Sequence, residues 1–327
     1  MKELFAGVDI HKEKYVGCIV DGEGAVVREH TFPPTREGAQ SFLCGMPVKA
    51  VAIEACGMWR AALKVFRELG YEVKLTSPKK TKDIAGKKKT DKVDAKTLAD
   101  LLRTGFLPKV YIPDDEMLRL RDLARHKAQL TRMRADVQRK IRSILMLKGI
   151  KSPKGLWTIK NVEWLVNLND ENIANWVRLF SSFKAEEKET LRRISKIAKN
   201  QRLTNILMTI PGIAEFSSLM ILEEIADIKR FKTPKELVMY AGLCPGIYQT
   251  GNTERNVKNN AVNNWLKWII TECSGRASTM KNTKFMYHYA KIKQRKNAKV
   301  ARRSTARKML TIIWHMLQKE EPYRHAA

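Results

Sequence analysis

Two short apolar runs near the N-terminus each end in a carboxylate: Leu4-Phe5-Ala6-Gly7-Val8-Asp9 and Ala50-Val51-Ala52-Ile53-Glu54. Runs of this length suit strands covered on both faces, which occur in sheets flanked by helices. Similar runs at 15–20, 25–31 and 71–76 predict five strands in all, the first three joined by short turns such as Asp21-Gly22-Glu23-Gly24. Trp59, Leu63, Val65, Phe66 and Leu69 recur at helical spacing between the last two strands and predict a crossover helix. Hairpin-linked strands followed by alternating helix and strand give a mixed α/β sheet, and a ribonuclease-H-like order is one of the few topologies that fits.

Residues 79–92 hold seven lysines with Gly86 among them and show no apolar period, which predicts a mobile basic loop. A helix follows from about Asp91 to the stop signal Gly105. Over 113–149, Leu123, Leu130, Val137 and Ile144 fall seven apart, the mark of a coiled-coil seam narrowed by Lys127 and Arg134. A second helical stretch, 185–207, can return beside it as a stalk. Beyond Ile210, Pro211-Gly212-Ile213 sits between two helical segments, a form that resembles phosphate-holding hairpins. Helices are expected at 234–240, 262–274 and 309–317. The boundaries that follow are 1–112 for an α/β domain, 113–207 for a helical coiled-coil region and 208–327 for a mainly α domain.

The formal net charge of +28 sets up a field that attracts polyanions, so a phosphate-bearing partner is the first expectation. The segment 281–308 carries eleven basic residues and no acid. Lys87, Lys88, Lys89, Arg295, Lys296, Arg302 and Arg303 are the best candidates for phosphate contacts. Phe285, Tyr287 and Tyr289 are interleaved where they can stack unpaired bases, or pack in a core, since Phe285 and Tyr289 share a helical face. The five cysteines form no Cys-x-x-Cys pair, no run reaches membrane-spanning length, and the start lacks a secretion signal. A cytoplasmic protein, associated with the nucleoid when bound to DNA, is expected.

Asp91 and Asp94 are three apart at a helix start and therefore share a face. Alone, Asp91 reads as an N-cap and Asp94 as a first-turn acid. With Asp9 and Glu54 at strand ends they make four acids suited to hard divalent cations, Mg²⁺ or Mn²⁺, in a two-metal site. His11 follows closely after Asp9, but a lone histidine at a strand end reads as a surface residue and stays outside the predicted site.

Val8-Asp9-Ile10-His11-Lys12, Ile53-Glu54-Ala55-Cys56-Gly57 and Lys89-Thr90-Asp91-Lys92-Val93-Asp94-Ala95 resemble the Asp-Glu-Asp-Asp motif of DEDD transposases in the 110 family of insertion sequences, relatives of pilin-gene invertases. Ile210-Pro211-Gly212-Ile213, Tyr240-Ala241-Gly242-Leu243-Cys244-Pro245 and Trp265-Leu266-Lys267-Trp268 extend the resemblance over nearly the whole chain. It implies a RuvC-like N-terminal domain, a coiled coil for assembly into a dimer or tetramer, and a C-terminal transposase domain that supplies a serine nucleophile. It also implies donor DNA, target DNA and a structured bridge RNA as partners.

At the serine position this chain has Thr250, in Tyr248-Gln249-Thr250-Gly251-Asn252, followed by Arg255 and Lys258 in a segment that also departs from the family pattern. Threonine keeps the hydroxyl and adds a methyl that restricts χ1 and crowds an in-line attack. The expected function is RNA-guided, Mg²⁺-dependent strand cleavage and exchange through a covalent hydroxyl-linked DNA intermediate. The alternatives are a RuvC-like metal-dependent nuclease using water, and a disabled member that only binds nucleic acid. Ser217, Ser218 and Ser274 are fallback hydroxyls, the first two reading better as helix caps.

Overall fold

The computed structural model describes residues 3–84, 90–244, 246–250, 253–257 and 262–324, with backbone alone at 82, 83, 246–250 and 253–257. The chain divides into two compact units, Met1–Ile112 and Pro113–Ala327.

The first unit contains β1 (Leu4–Ile10), β2 (Tyr15–Val20), β3 (Val26–Phe32), α1 (Arg36–Leu43), β4 (Val48–Glu54), α2 (Trp59–Glu68), β5 (Val73–Thr76), α3 (Pro78–Ile84) and α4 (Asp91–Arg103). The sheet order is β3-β2-β1-β4-β5, antiparallel within the β1–β3 meander and parallel from β1 to β4 and from β4 to β5. The predicted mixed sheet is therefore present.

Side chains alternate across each strand, and the alternation sorts the two faces. Leu4, Ala6, Val8 and Ile10 of β1 join Tyr15, Ile19, Val51 and Ile53 in a core closed by Phe42 of α1 and Phe66 of α2. Phe5 faces the other way with Val16, Cys18 and Val20, onto Ala95 and Ala99 of α4. Ala52 of β4 meets Leu98 and Leu101 on that same side. Asp9 and Glu54 continue the α4-facing series, so the strand period alone turns both acids toward α4.

The close approach of α4 depends on Gly7. A Cβ there would stand 2.1 Å from the Ala95 carbonyl oxygen and 2.4 Å from the Ala99 nitrogen, both backbone atoms with little freedom to yield. We expect Gly7→Ala to lower the thermal midpoint, at an overpacking cost of about 1–3 kcal/mol. The same substitution should push α4, and with it Asp91 and Asp94 of its first turn, away from the end of β1.

Two local expectations need correction in this unit. Residues 79–84, expected within a loop, belong to α3, which opens at Pro78 because proline is preorganised for the first helical position and lysines are good helix formers. Lys87, Lys88 and Lys89 lie outside the described residues. The N-cap of α4 is Thr90, whose hydroxyl accepts from the Val93 N–H (3.3 Å), which leaves both Asp91 and Asp94 free of the capping role.

The second unit contains α5 (Asp115–Leu147), α6 (Ile159–Val166), α7 (Glu171–Asn200), α8 (Arg202–Met208), α9 (Glu215–Ile225), a 3₁₀ turn (Ile228–Arg230), α10 (Pro234–Tyr240), β6 (Gly246–Thr250), β7 (Thr253–Val257), α11 (Asn264–Ala277), α12 (Lys284–Arg295) and α13 (Ala298–Lys319). The returning helix starts at Glu171, capped by Asp170, well before the expected 185. It runs antiparallel to α5: Val137, Ile141 and Ile144 pack on Ile173, Val177 and Phe180, while Leu120 and Leu123 meet Ile194 and Ala198. The seven-residue stripe of α5 thus finds its partner within the chain.

Lys127 and Arg134, which interrupt that stripe, both reach Glu187 of α7, at 3.3 and 2.6 Å. Burial pushes the Glu187 carboxyl up, but bonds from Arg134 and Thr131 and the Lys127 charge hold it below the ordinary range.

The helices from α8 onward surround one core centred on Met220, Ile221, Leu237, Ile270, Met309 and Ile313. The helix–Pro-Gly-Ile–helix form is present, and Gly212 (φ 89°) serves packing there: a Cβ would fall 2.6 Å from the Cys273 carbonyl oxygen of α11. The β6–β7 hairpin was not anticipated.

Glu223, 5% exposed, has its carboxyl pushed up to about 8, first by burial and against the pull of the Arg121 charge. Between its ordinary value of 4.5 and 8 the folded chain keeps a proton that the unfolded chain has lost. Stability contributed here should therefore fall as pH rises through that window. Thermal melts of Glu223→Gln should show a flatter pH dependence and a higher midpoint above pH 8, by about 2–4 °C per kcal/mol relieved.

Candidate metal centre and active site

Asp9 is the last but one residue of β1, and Val8 pairs in parallel register with Ile53, so Asp9 and Glu54 occupy neighbouring carboxyl ends of adjacent strands. This is the edge at which α/β sheets present functional groups. After Ile10 the chain turns tightly, with the His11 N–H donating to the Lys14 carbonyl (3.1 Å). The turn swings the His11 ring back over the strand end. Its Nε2 lies 3.0 Å from Asp9 Oδ2 and 3.5 Å from Asp91 Oδ1. Lys14 Nζ reaches the other Asp91 oxygen at 2.9 Å.

One ligand atom each from Asp9, His11 and Asp91 can be chosen so that all lie within 4.8 Å of one another. The first turn of α4 supplies Asp91 and also brings the Asp94 charge close enough to act on Asp9. Burial raises the Asp9 carboxyl, whose side chain is 17% exposed; His11 opposes this by charge and hydrogen bond, and Asp91 and Asp94 raise it further. Asp91 moves the opposite way, lowered first by the Lys14 hydrogen bond and then by His11. Three acids converging on one half-buried point is costly unless positive charge joins them.

Two carboxylates and an imidazole, with further acids beside them, are donors that fit a divalent cation. Asp9 and Asp91 of the predicted quartet fall in this close set. Asp94 is near enough to perturb Asp9, and Glu54 stands on the next strand facing the same side. His11, which sequence reasoning left out, belongs to the cluster. Its signal was the Asp-x-His spacing at a strand end followed at once by a tight turn.

Thr250 is the final residue of β6, paired with Thr253 of β7, so it sits where the hairpin turns. Arg255 lies opposite Tyr248 in the same hairpin, and Lys258 falls outside the described residues. Arg295, Lys296, Arg302 and Arg303 are all exposed along α12, α13 and their junction. Of the three interleaved aromatics, Tyr287 is 59% exposed, whereas Phe285 is fully buried and stacks on Tyr323, with ring centroids 6.0 Å apart. Base stacking by Phe285 is thereby excluded, because its face of α12 is the packing face.

The fallback serines are buried and locally bonded. Ser217 Oγ accepts the Ala214 N–H (2.8 Å), and Ser218 and Ser274 donate to the carbonyls of Glu215 and Thr271. Among the described residues no helix is long and apolar enough to cross a membrane.

Residues 6–149 match the DEDD transposases of the IS110 type, and residues 204–290 match the IS116/IS110/IS902 transposase family. The first match spans all four acids and the second spans Thr250. The chain is similar to a putative transposase, y4qE, of Sinorhizobium fredii, at 25% identity over 84% of this chain and 71% of the relative. It is 24% identical, over its whole length and 93% of the relative, to the transposase for insertion sequence element IS1111A of Coxiella burnetii. The transposase for insertion sequence element IS1328 of Yersinia enterocolitica is 22% identical over 88% of this chain and 90% of the relative.

Proposed function

Because the chain belongs to the IS110 family of DEDD transposases, and is therefore a DNA transposase, we propose that it is the RNA-guided recombinase of an insertion sequence. The observation that supports its divalent-cation chemistry is the convergence of Asp9, His11 and Asp91, with Asp94 and Glu54 turned toward the same side of the sheet. We read the first unit as a RuvC-like domain and the α5–α7 pair as a coiled-coil stalk. Exposed Met146, Leu147, Ile159 and Val166 at the tip of the stalk support assembly into a dimer or tetramer.

In this reading Asp9, Glu54, Asp91 and Asp94 hold divalent cations, Mg²⁺ or Mn²⁺. Bound there, such ions would neutralise the acids and stabilise charge developing on a phosphate. His11 orients the Asp9 carboxylate through its 3.0 Å contact. The Thr250 oxygen attacks a DNA phosphorus; the Oγ–P bond forms, the P–O3′ bond breaks, and a free 3′-hydroxyl departs with the threonine proton. A 3′-hydroxyl of the exchanged strand then attacks the same phosphorus and releases Thr250, so bond energy is conserved without ATP. Arg255, Lys258, Arg295, Lys296, Arg302, Arg303 and Lys87–Lys89 contact the phosphates of donor DNA, target DNA and the guide RNA.

The test uses the protein purified with whatever RNA accompanies it and a supercoiled plasmid carrying the joined ends of the insertion element that encodes it. Strand cleavage should require Mg²⁺ or Mn²⁺, stop after ribonuclease treatment, and return when the extracted RNA is added back. Cleavage that is indifferent to ribonuclease would remove the RNA-guided part of the reading.

A further inference from the structure

The excursion that carries residue 250 leaves the fold at the end of α10 and re-enters at the start of α11, and its two ends are tied together. The Asn263 N–H donates to the Tyr240 carbonyl (2.8 Å). Gly242 (φ 64°) lies so close to Val262 that a Cβ would fall 2.8 Å from its side chain. Asn263 caps α11, its Oδ1 accepting from the Leu266 N–H (3.0 Å). Its amide nitrogen donates to Glu224 Oε2 (2.8 Å) and contacts the Tyr240 hydroxyl (3.0 Å).

Glu224 is in turn fixed from a third helix. Its carboxylate, 1% exposed, accepts both arms of Arg125 of α5, from Nε at 2.6 Å and Nη2 at 2.9 Å. Arg125 lies over the ring of Trp265 (5.7 Å), two residues after the cap of α11. Tyr240 packs on Phe231 and under Arg230, so its ring is held independently of its hydroxyl. A buried ion pair of this kind is a weak source of stability compared with apolar packing, and its attested use is to specify one geometry. Here the geometry specified is the pair of chain ends from which the β6–β7 hairpin projects.

We infer that Arg125, Glu224, Asn263 and the Tyr240 hydroxyl are positioning residues that anchor the residue-250 hairpin for strand transfer. The inference rests on the reading of Thr250 as the nucleophile. A supporting shell of locked side chains is what keeps a reacting group within the narrow tolerance that chemistry demands.

Asn263→Ser and Tyr240→Phe test it, since serine still caps a helix and phenylalanine keeps the ring. On the same plasmid with co-purified RNA, Asn263→Ser should slow single-turnover cleavage by about tenfold or more, as small misplacements at a reacting centre do. DNA half-saturation should stay within about twofold, because binding is separable from the chemical step. Combining the two substitutions should cost less than the sum of their separate effects, because both remove the Asn263–Tyr240 hydrogen bond, while Tyr240→Phe also removes the 3.4 Å donation from the hydroxyl to the Glu224 carbonyl. Amide hydrogen exchange over 244–262 should accelerate in Asn263→Ser while the midpoint of the remaining fold is kept.

Cleavage by both variants within about twofold of the parent would overturn the anchor, and so would unchanged exchange. Parallel loss of rate, binding and melting midpoint would reduce it to a folding effect and overturn it as well. An active Thr250→Val would fell the nucleophile reading instead, and the anchor would still stand or fall on the exchange rates.

Discussion

Asp9→Asn should reduce divalent-cation-dependent strand cleavage by on the order of 10²-fold or more, the scale at which removing one preorganised electrostatic contact to a transition state is felt. Asparagine keeps the shape of the side chain, and its oxygen can still meet His11 Nε2, so only the charge and one hard ligand are lost. Asp9 is the most enclosed member of the cluster and the one on which His11, Asp91 and Asp94 all act. Binding to nucleic acid should survive, because the phosphate contacts proposed above use other side chains. His11→Ala should be the milder change, since it frees the Asp9 carboxylate to rotate without deleting it. Full cleavage by Asp9→Asn in Mg²⁺ would show that the strand-end cluster does not hold the catalytic ion.

Thr250→Val should be equally severe for a different reason. Valine reproduces the branched shape of threonine and deletes only the oxygen proposed as the nucleophile, so the hairpin should be retained while strand transfer disappears. Thr250→Ser removes the β-branch and frees χ1; if the hydroxyl is the nucleophile, as proposed, its recombination should equal or exceed that of the parent. The assay is formation of recombinant junctions, read by sequencing across the exchanged ends. Wild-type activity in Thr250→Val would move the mechanism to an attacking water. Activity present only in Thr250→Ser would identify this chain as a disabled recombinase with an intact fold.

The centre of the sheet was legible in the sequence because β1, β2 and β4 are covered on both faces: the runs 4–9, 15–20 and 48–54 coincide with them to within a residue, whereas β3 at the edge is largely exposed. Strand alternation then put Asp9 and Glu54 on one face without further information. Helix α1 escaped notice because it is only eight residues long and its core contacts are Ala39, Phe42 and Leu43, too few to establish a period. The front half of α7 carries Ile173, Val177 and Phe180 at helical spacing and could have been read. The β6–β7 hairpin alternates weakly, and its one strong cue was Gly251-Asn252 between Thr250 and Thr253.

The candidate site was readable where it depended on strand ends and on the three-residue spacing of Asp91 and Asp94. His11 was not, because its place in the cluster is created by a turn, and no periodicity reports where a turn aims a ring. The reach of Lys14 to Asp91 is hidden for the same reason. Phe285 and Tyr287 show the reverse limit. Both fitted a stacking role by composition, and only the packing face of α12 separates the buried one from the exposed one.

Mapping the trapped adduct asks whether DNA is transferred onto the hydroxyl of residue 250 and whether that transfer needs Asp9. The reaction with plasmid, Mg²⁺ and co-purified RNA is stopped in denaturant, digested with nuclease and protease, and the peptides are weighed by mass spectrometry. A nucleotide mass on the peptide containing Thr250, absent when Asp9→Asn is used, is the predicted result. Cleaved DNA with no adduct, or an adduct on any other residue, would contradict it.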